Sequence, residues 1–217
     1  MNMFHIYHHL YYIRFFEWIS IRWSYFYRGE NMEVKNSETA KNLMRAFAGE
    51  SQARNRYTFG AALAVKEKQH WIADVFQYTA NQEKEHADIF FTHLKELGGE
   101  SIEIDGSFPV ERYDNLLEVL KSARHNEYEE YEDVYQHFSE VANKEGFTKV
   151  AMDFKNIAEI EKTHGDRFEM VAKYIENQQL YNDTQVTRWV CQNCGFIIEN
   201  MQAPARCPVC NHDQGYF

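Results

Sequence analysis

Two copies of one short pattern, Glu83-Lys-Glu-His86 and Glu161-Lys-Thr-His164, constrain this chain more than any other feature. Each lies in a long proline-free stretch, where a Glu and a His three residues apart share one helix face. That face is the apolar one. Around the first copy it carries Phe76, Thr79, Phe90 and Leu94, and around the second Phe154, Ile157, Phe168 and Val171. A carboxylate aimed into a core is costly unless something compensates it. A metal ion does so directly, and His with carboxylate suits iron, zinc or manganese.

One such pair means little in a chain that is 26% charged, because Glu-x-x-His is common on solvated helix surfaces. Two further stretches change the weight. Glu50 shares a face with Leu43, Phe47, Ala53 and Tyr57, while Glu127 and Glu130 share one with Leu120, Ala123, Val134 and Phe138. Four helices thus each bring acid to an apolar face. A Glu from each of two helices, with Glu-x-x-His from each of the other two, is the general di-metal pattern of ferritin-like bundles. Five glutamates and two histidines are too many ligands for a single ion.

The expected fold is mainly α: a four-helix bundle over residues 32–179, a polar linker at 180–188 and a small metal module at 189–217. Helix 1 is expected from Asn36 to Lys68, capped by Asn36 or Ser37, and helix 2 from Gln69 to a stop at Gly98-Gly99. Residues 100–113 form the long crossover. Asp114 is the expected cap of a third helix running unbroken to Glu145, and helix 4 follows from Phe147 to Gln178.

All four cysteines fall in two Cys-x-x-Cys knuckles, Cys191/Cys194 and Cys207/Cys210. That spacing places four thiolates around one metal, zinc or a single iron. Cysteines spaced this way point to a reducing compartment rather than to disulfides. A formal net charge of -10 with no basic stripe argues against a nucleic-acid partner.

Residues 1–31 differ from the rest, being dense in Phe, Tyr and Trp and lacking Ala, Val and Pro. Arg14, Glu17 and Arg22 interrupt the stretch, and its longest uncharged run falls short of the roughly 20 apolar residues a membrane span needs. No basic start or small-residue cleavage site marks a signal peptide. The expectation is a protein that starts at Met32, with the leader translated from a misassigned upstream start and no membrane partner.

The run Ala46-Phe-Ala-Gly-Glu50-Ser-Gln-Ala-Arg-Asn-Arg-Tyr57 resembles the first helix of rubrerythrins. So do the Glu83–His86 and Glu161–His164 segments and Asn126-Glu127-Tyr-Glu-Glu130-Tyr-Glu-Asp-Val-Tyr135. The cysteine segment resembles the family's rubredoxin-like module, with Phe196 where such modules often have Tyr. The resemblance implies a di-iron site held by Glu50, Glu83, His86, Glu127, Glu130, Glu161 and His164, with Glu83 and Glu161 bridging. It places Tyr57 and Tyr135 beside the ligands and a third iron at Cys191, Cys194, Cys207 and Cys210. It implies a cytoplasmic, homodimeric or larger peroxidase that reduces hydrogen peroxide with electrons from an NAD(P)H-dependent rubredoxin-type reductase. Iron oxidation and storage, as in ferritins, or another di-iron oxidase activity is the alternative. Storage has no use for a fused electron carrier.

Overall fold

The computed structural model describes residues 34–217; the aromatic leader and the expected start at Met32 lie outside the described residues. Helix α1 spans Glu38–Lys66 and α2 spans His70–His93. Ser37 caps α1 by accepting from Ala40 N–H, with Glu38 favourably placed in the first turn. Lys68, at φ 59°, turns the chain between the two helices. A 3-10 turn at Lys95–Leu97 ends the second rod, and a crossover leads to α3, Leu116–Glu129. The cap of α3 is Asn115 rather than Asp114, its side chain accepting from Glu118 N–H.

The third rod departs from the unbroken helix expected from sequence. After Glu129 the backbone passes through a π turn at Glu130–Val134 before resuming as α4, Tyr135–Lys144. Such a turn accommodates one extra residue within an otherwise continuous helix, and it occurs preferentially at functional sites. Helix α5 then runs Thr148–Glu176. Helix α1 packs along α2, and α3 and α4 along α5, so the bundle consists of two hairpins joined by the crossover.

Two apolar clusters fill the bundle. One gathers Tyr57, Phe76, Leu120 and Phe168; the other gathers Leu43, Phe90, Tyr135 and Phe154. On every rod the acid of interest falls between them: Glu50 between Ala46 and Ala53, Glu83 between Ala80 and Phe90, Glu127 between Ala123 and Tyr135, Glu161 between Ala158 and Phe168. The core therefore seals the acidic layer above and below.

Beyond α5 the stretch 180–188, expected as a linker, enters strand β1 at Asn182. Strand β1, Asn182–Val190, pairs antiparallel with β2, Ile197–Gln202, with an irregularity between Asn182 and Thr187. Both strands are largely exposed, and the first half of β1, residues 182–185, is polar and resembles a linker in composition. The module packs against the turn between α1 and α2. The Tyr181 hydroxyl donates to the Gln69 side chain, and the rings of His70 and Tyr216 stack at 4.0 Å.

Candidate metal centre

Glu50, Glu83, Glu127, Glu161 and His164 are all at most 1% exposed, and His86 is 5% exposed. Their ligand atoms converge into two groups. Glu50, Glu83, His86 and Glu161 form one; Glu83, Glu127, Glu161 and His164 form the other. Glu83 and Glu161 belong to both, each sending one oxygen to each histidine. His86 Nδ1 lies 3.1 Å from Glu83 Oε2 and 2.9 Å from Glu161 Oε1. His164 Nδ1 lies 3.0 Å from Glu83 Oε1, 2.8 Å from Glu161 Oε2 and 3.3 Å from Glu127 Oε2.

Several of these buried atoms point inward without making hydrogen bonds among the described residues: Glu50 Oε2, Glu83 Oε1, Glu127 Oε2, both Glu161 oxygens and His164 Nδ1. Buried polar atoms are ordinarily satisfied. Orphaned lone pairs converging on common points have the character of ligand atoms, and cations held there would satisfy them. The donor set, oxygen with imidazole, fits iron.

The crowding is visible in the titration of the groups. Burial, with the Glu83 charge next, pushes Glu127 up to about 8. Burial and the charges of Glu161 and Glu83 raise Glu50 well above the usual carboxylate range. Burial also opposes charge on the histidines, but the Glu161 and Glu83 carboxylates outweigh it and bring His86 to about 9. Glu161, despite its burial, is drawn down to about 2 by the close approach of the His164 and His86 imidazoles. The layer favours bound positive charge, and metal ions supply it.

Each terminal glutamate is backed by a tyrosine from another helix. The Tyr57 hydroxyl donates to Glu127 Oε1, and the Tyr135 hydroxyl to Glu50 Oε1. Glu50 precedes Tyr57 by seven residues, whereas Glu127 precedes Tyr135 by eight. From Tyr57 to Glu83 and from Tyr135 to Glu161 the interval is 26 in both cases. The single extra residue is taken up in the π turn, which begins at Glu130.

Glu130 itself joins neither group of converging atoms. It is half-buried beside them, its carboxyl raised well above the usual range by burial and by the charges of Glu127, Glu161 and Glu83. It lines a cavity of about 240 Å³ with Arg56, Phe108, Asn126 and Tyr135, opening between the crossover and the bundle. The Arg56 guanidinium donates to Glu111 of the crossover at 2.5 Å, and Asn126 donates to the same carboxylate at 2.8 Å. The crossover is thereby tied over α1 and α3 at the edge of the acidic layer.

The four cysteines are likewise brought together. Cys191 and Cys210 sulfurs stand 3.7 Å apart, Cys194 and Cys207 sulfurs 3.6 Å. Backbone N–H groups face the sulfurs, and that of His212 leads in bringing Cys210 down to about 5. N–H groups aimed at sulfur stabilise thiolates and tune the metals they hold. Trp189, Phe196 and Phe217 pack around the cysteines.

Residues 41–172 match the family model described as Rubrerythrin, and residues 189–217 match that described as Rubrerythrin, rubredoxin-like domain. The rubrerythrin of Clostridium perfringens is 45% identical over 185 residues, covering 85% of this chain and 95% of that one. The rubrerythrin of Porphyromonas gingivalis is 44% identical over 187 residues, covering 86% and 92%. A solved structure of nigerythrin in a mixed-valence state is similar at a TM-score of 0.58 and 26% identity, covering 87% of this chain and 89% of that one.

Proposed function

The chain belongs to the rubrerythrin family, and on that premise we propose that it is a non-haem di-iron peroxidase that reduces hydrogen peroxide to water. The bundle carries the di-iron site and the four cysteines the rubredoxin-like iron site. We assign one bundle iron to Glu50, Glu83, His86 and Glu161 and the other to Glu83, Glu127, Glu161 and His164. Glu130 stands by as a further ligand, and Cys191, Cys194, Cys207 and Cys210 hold the third iron.

The observation that carries this reading is the presence of both sites in one chain. Each peroxide consumes two electrons and two protons and yields two waters. Two iron ions held by the bundle glutamates and histidines would supply the two electrons, and an iron held by Cys191, Cys194, Cys207 and Cys210 would pass electrons one at a time. The residues of the chain do the rest. The apolar clusters exclude bulk water from above and below the acidic layer. The cavity beside Glu130 admits a molecule the size of peroxide. The hydroxyls of Tyr57 and Tyr135 hold the terminal carboxylates in orientation by donating to them.

The electrons come from a rubredoxin-type reductase that oxidises NAD(P)H, and the protein works in the cytoplasm as a homodimer or larger assembly. No helix among the described residues is long and apolar enough to cross a membrane.

The test separates the two sites. Cys191→Ser abolishes NAD(P)H-linked peroxide turnover, while the chemically reduced variant still consumes peroxide in a single turnover. A reduced Cys191→Ser protein that leaves peroxide untouched sinks the assignment of peroxide chemistry to the bundle.

A further inference from the structure

We propose that Gln82 and Arg167 are a positioning pair that presents His164 to its metal through Nδ1. The proposal rests on the reading above that His164 is a ligand. His164 Nε2 lies 3.1 Å from Gln82 Oε1. A glutamine amide presents either its oxygen or its nitrogen, and a neutral imidazole nitrogen either donates or accepts. The neighbours of Gln82 remove that freedom.

Arg167 Nη1 lies 3.3 Å from the same Gln82 atom. A guanidinium only donates, so the atom facing both Arg167 and His164 is the carbonyl oxygen. The amide nitrogen of Gln82 faces the Tyr78 hydroxyl at 3.5 Å. Arg167 Nη1 also donates to Thr79 Oγ1 at 2.8 Å, and the Thr79 hydroxyl in turn donates to the Val75 carbonyl at 3.1 Å. The guanidinium is further seated over the Tyr78 ring, 5.0 Å from its centroid. Every donor in this chain of contacts has one direction.

The consequence reaches the metal layer. Gln82 Oε1 accepts, so in the neutral imidazole that a metal requires, His164 Nε2 carries the proton and Nδ1 keeps the lone pair. Nδ1 is the atom set among the oxygens of Glu83, Glu127 and Glu161 without a hydrogen bond among the described residues. Outer-shell partners of this kind set the tautomer and ring orientation of a ligating histidine. The other half shows no such contact among the described residues: no hydrogen bond reaches His86 Nε2, and His86 Nδ1 faces Glu83 and Glu161.

The probe is cobalt(II), titrated by calorimetry into the metal-stripped full-length chain, with the four-cysteine site counted separately by its sulfur-to-cobalt absorbance. Wild type takes two equivalents in the bundle. In Gln82→Leu one of those two weakens about 10–100-fold, the range for loss of an outer-shell partner. Gln82→Glu keeps an acceptor oxygen and Arg167 as its donor, and it retains both affinities. Nitrogen NMR of the zinc-loaded protein reports the tautomer directly: His164 protonated at Nε2 in wild type and Gln82→Glu, and in mixed tautomers in Gln82→Leu. Should the leucine variant not fold, Arg167→Leu frees the amide to flip and is expected to give a smaller loss in the same equivalent. Wild-type affinity in Gln82→Leu, or equal losses in the leucine and glutamate variants, overturns the positioning role. A wild-type bundle that takes fewer than two equivalents overturns instead the two-metal reading beneath it.

Discussion

Gly195 and Asn211 occupy equivalent places, each one residue after the second cysteine of a knuckle, at φ 75° and 62°. Left-handed backbone suits glycine and is tolerated by asparagine, but a β-branched side chain is strained there. Asn211→Val is expected to destabilise the module by about 1–2 kcal/mol, while Asn211→Gly stays near neutral. Loss of the iron–thiolate absorbance on heating reads both. At this scale much was written in the sequence. Three-residue spacing puts a Glu and a His on one helix face whatever the tertiary structure, and two Cys-x-x-Cys pairs close on a metal by local geometry. The partnership of Gln82 with Arg167 was not legible, because 85 residues separate them and neither has a local spacing rule that points to the other. The periodicity points Glu130 inward. It borders the layer without converging with the other ligand atoms.

The helices hold one another at their ends. Glu145, just past α4, accepts from the backbone N–H groups of Glu38 and Thr39 at 3.0 and 2.8 Å and from the Thr39 hydroxyl at 2.5 Å. These are the unsatisfied donors of the first turn of α1. Although partial burial works to raise it, the hydrogen bonds from Thr39 and Glu38 bring the Glu145 carboxyl below the usual range. A depressed carboxylate stabilises the fold above its unfolded-state value and loses that contribution as pH falls through the folded value. Glu145→Ala is therefore expected to cost about 1 kcal/mol at neutral pH, with the gap to wild type closing below the ordinary glutamate value of about 4.3. Denaturant melts at pH 7 and pH 3.5 measure it. A second prediction concerns the π turn. Deleting Asp133 is expected to restore a continuous α-helix and leave helicity unchanged, because a π turn is an α-helix with one residue too many. Glu130 then turns relative to Tyr135, and peroxide turnover is expected to fall at least tenfold while the bundle still loads metal. The turn escaped the sequence reading because Glu130–Val134 has ordinary helical composition; its trace is the eight-residue interval where the first hairpin has seven. Strand β1 escaped for a related reason, since an exposed two-stranded ribbon needs no apolar alternation.

Across the whole molecule, the module sits where α1 turns into α2, and one residue governs how closely. A Cβ added at Gly215 meets the Lys68 carbonyl oxygen at 1.7 Å, far inside contact, and backbone cannot yield as a side chain does. Gly215→Ala is expected to loosen the module from the bundle without unfolding either. Limited proteolysis near Gln178 should quicken several-fold and the His70–Tyr216 ring stack should be lost from the aromatic NMR spectrum, with the melting of the bundle unchanged. The organisation of the bundle carries a further consequence. Apart from one residue, its two hairpins repeat the same intervals of Glu, Tyr, Glu and His, and an uninterrupted repeat would build two equivalent places for two equivalent ions. To the ligand spacing alone, ions in equivalent places are degenerate: it does not tell one from the other. One inserted residue lifts that degeneracy at little cost to the fold, because it alters one helix for a single turn and returns the rest to register. The turn that takes it up begins at Glu130, beside the cavity, and gives a twofold arrangement a front and a back.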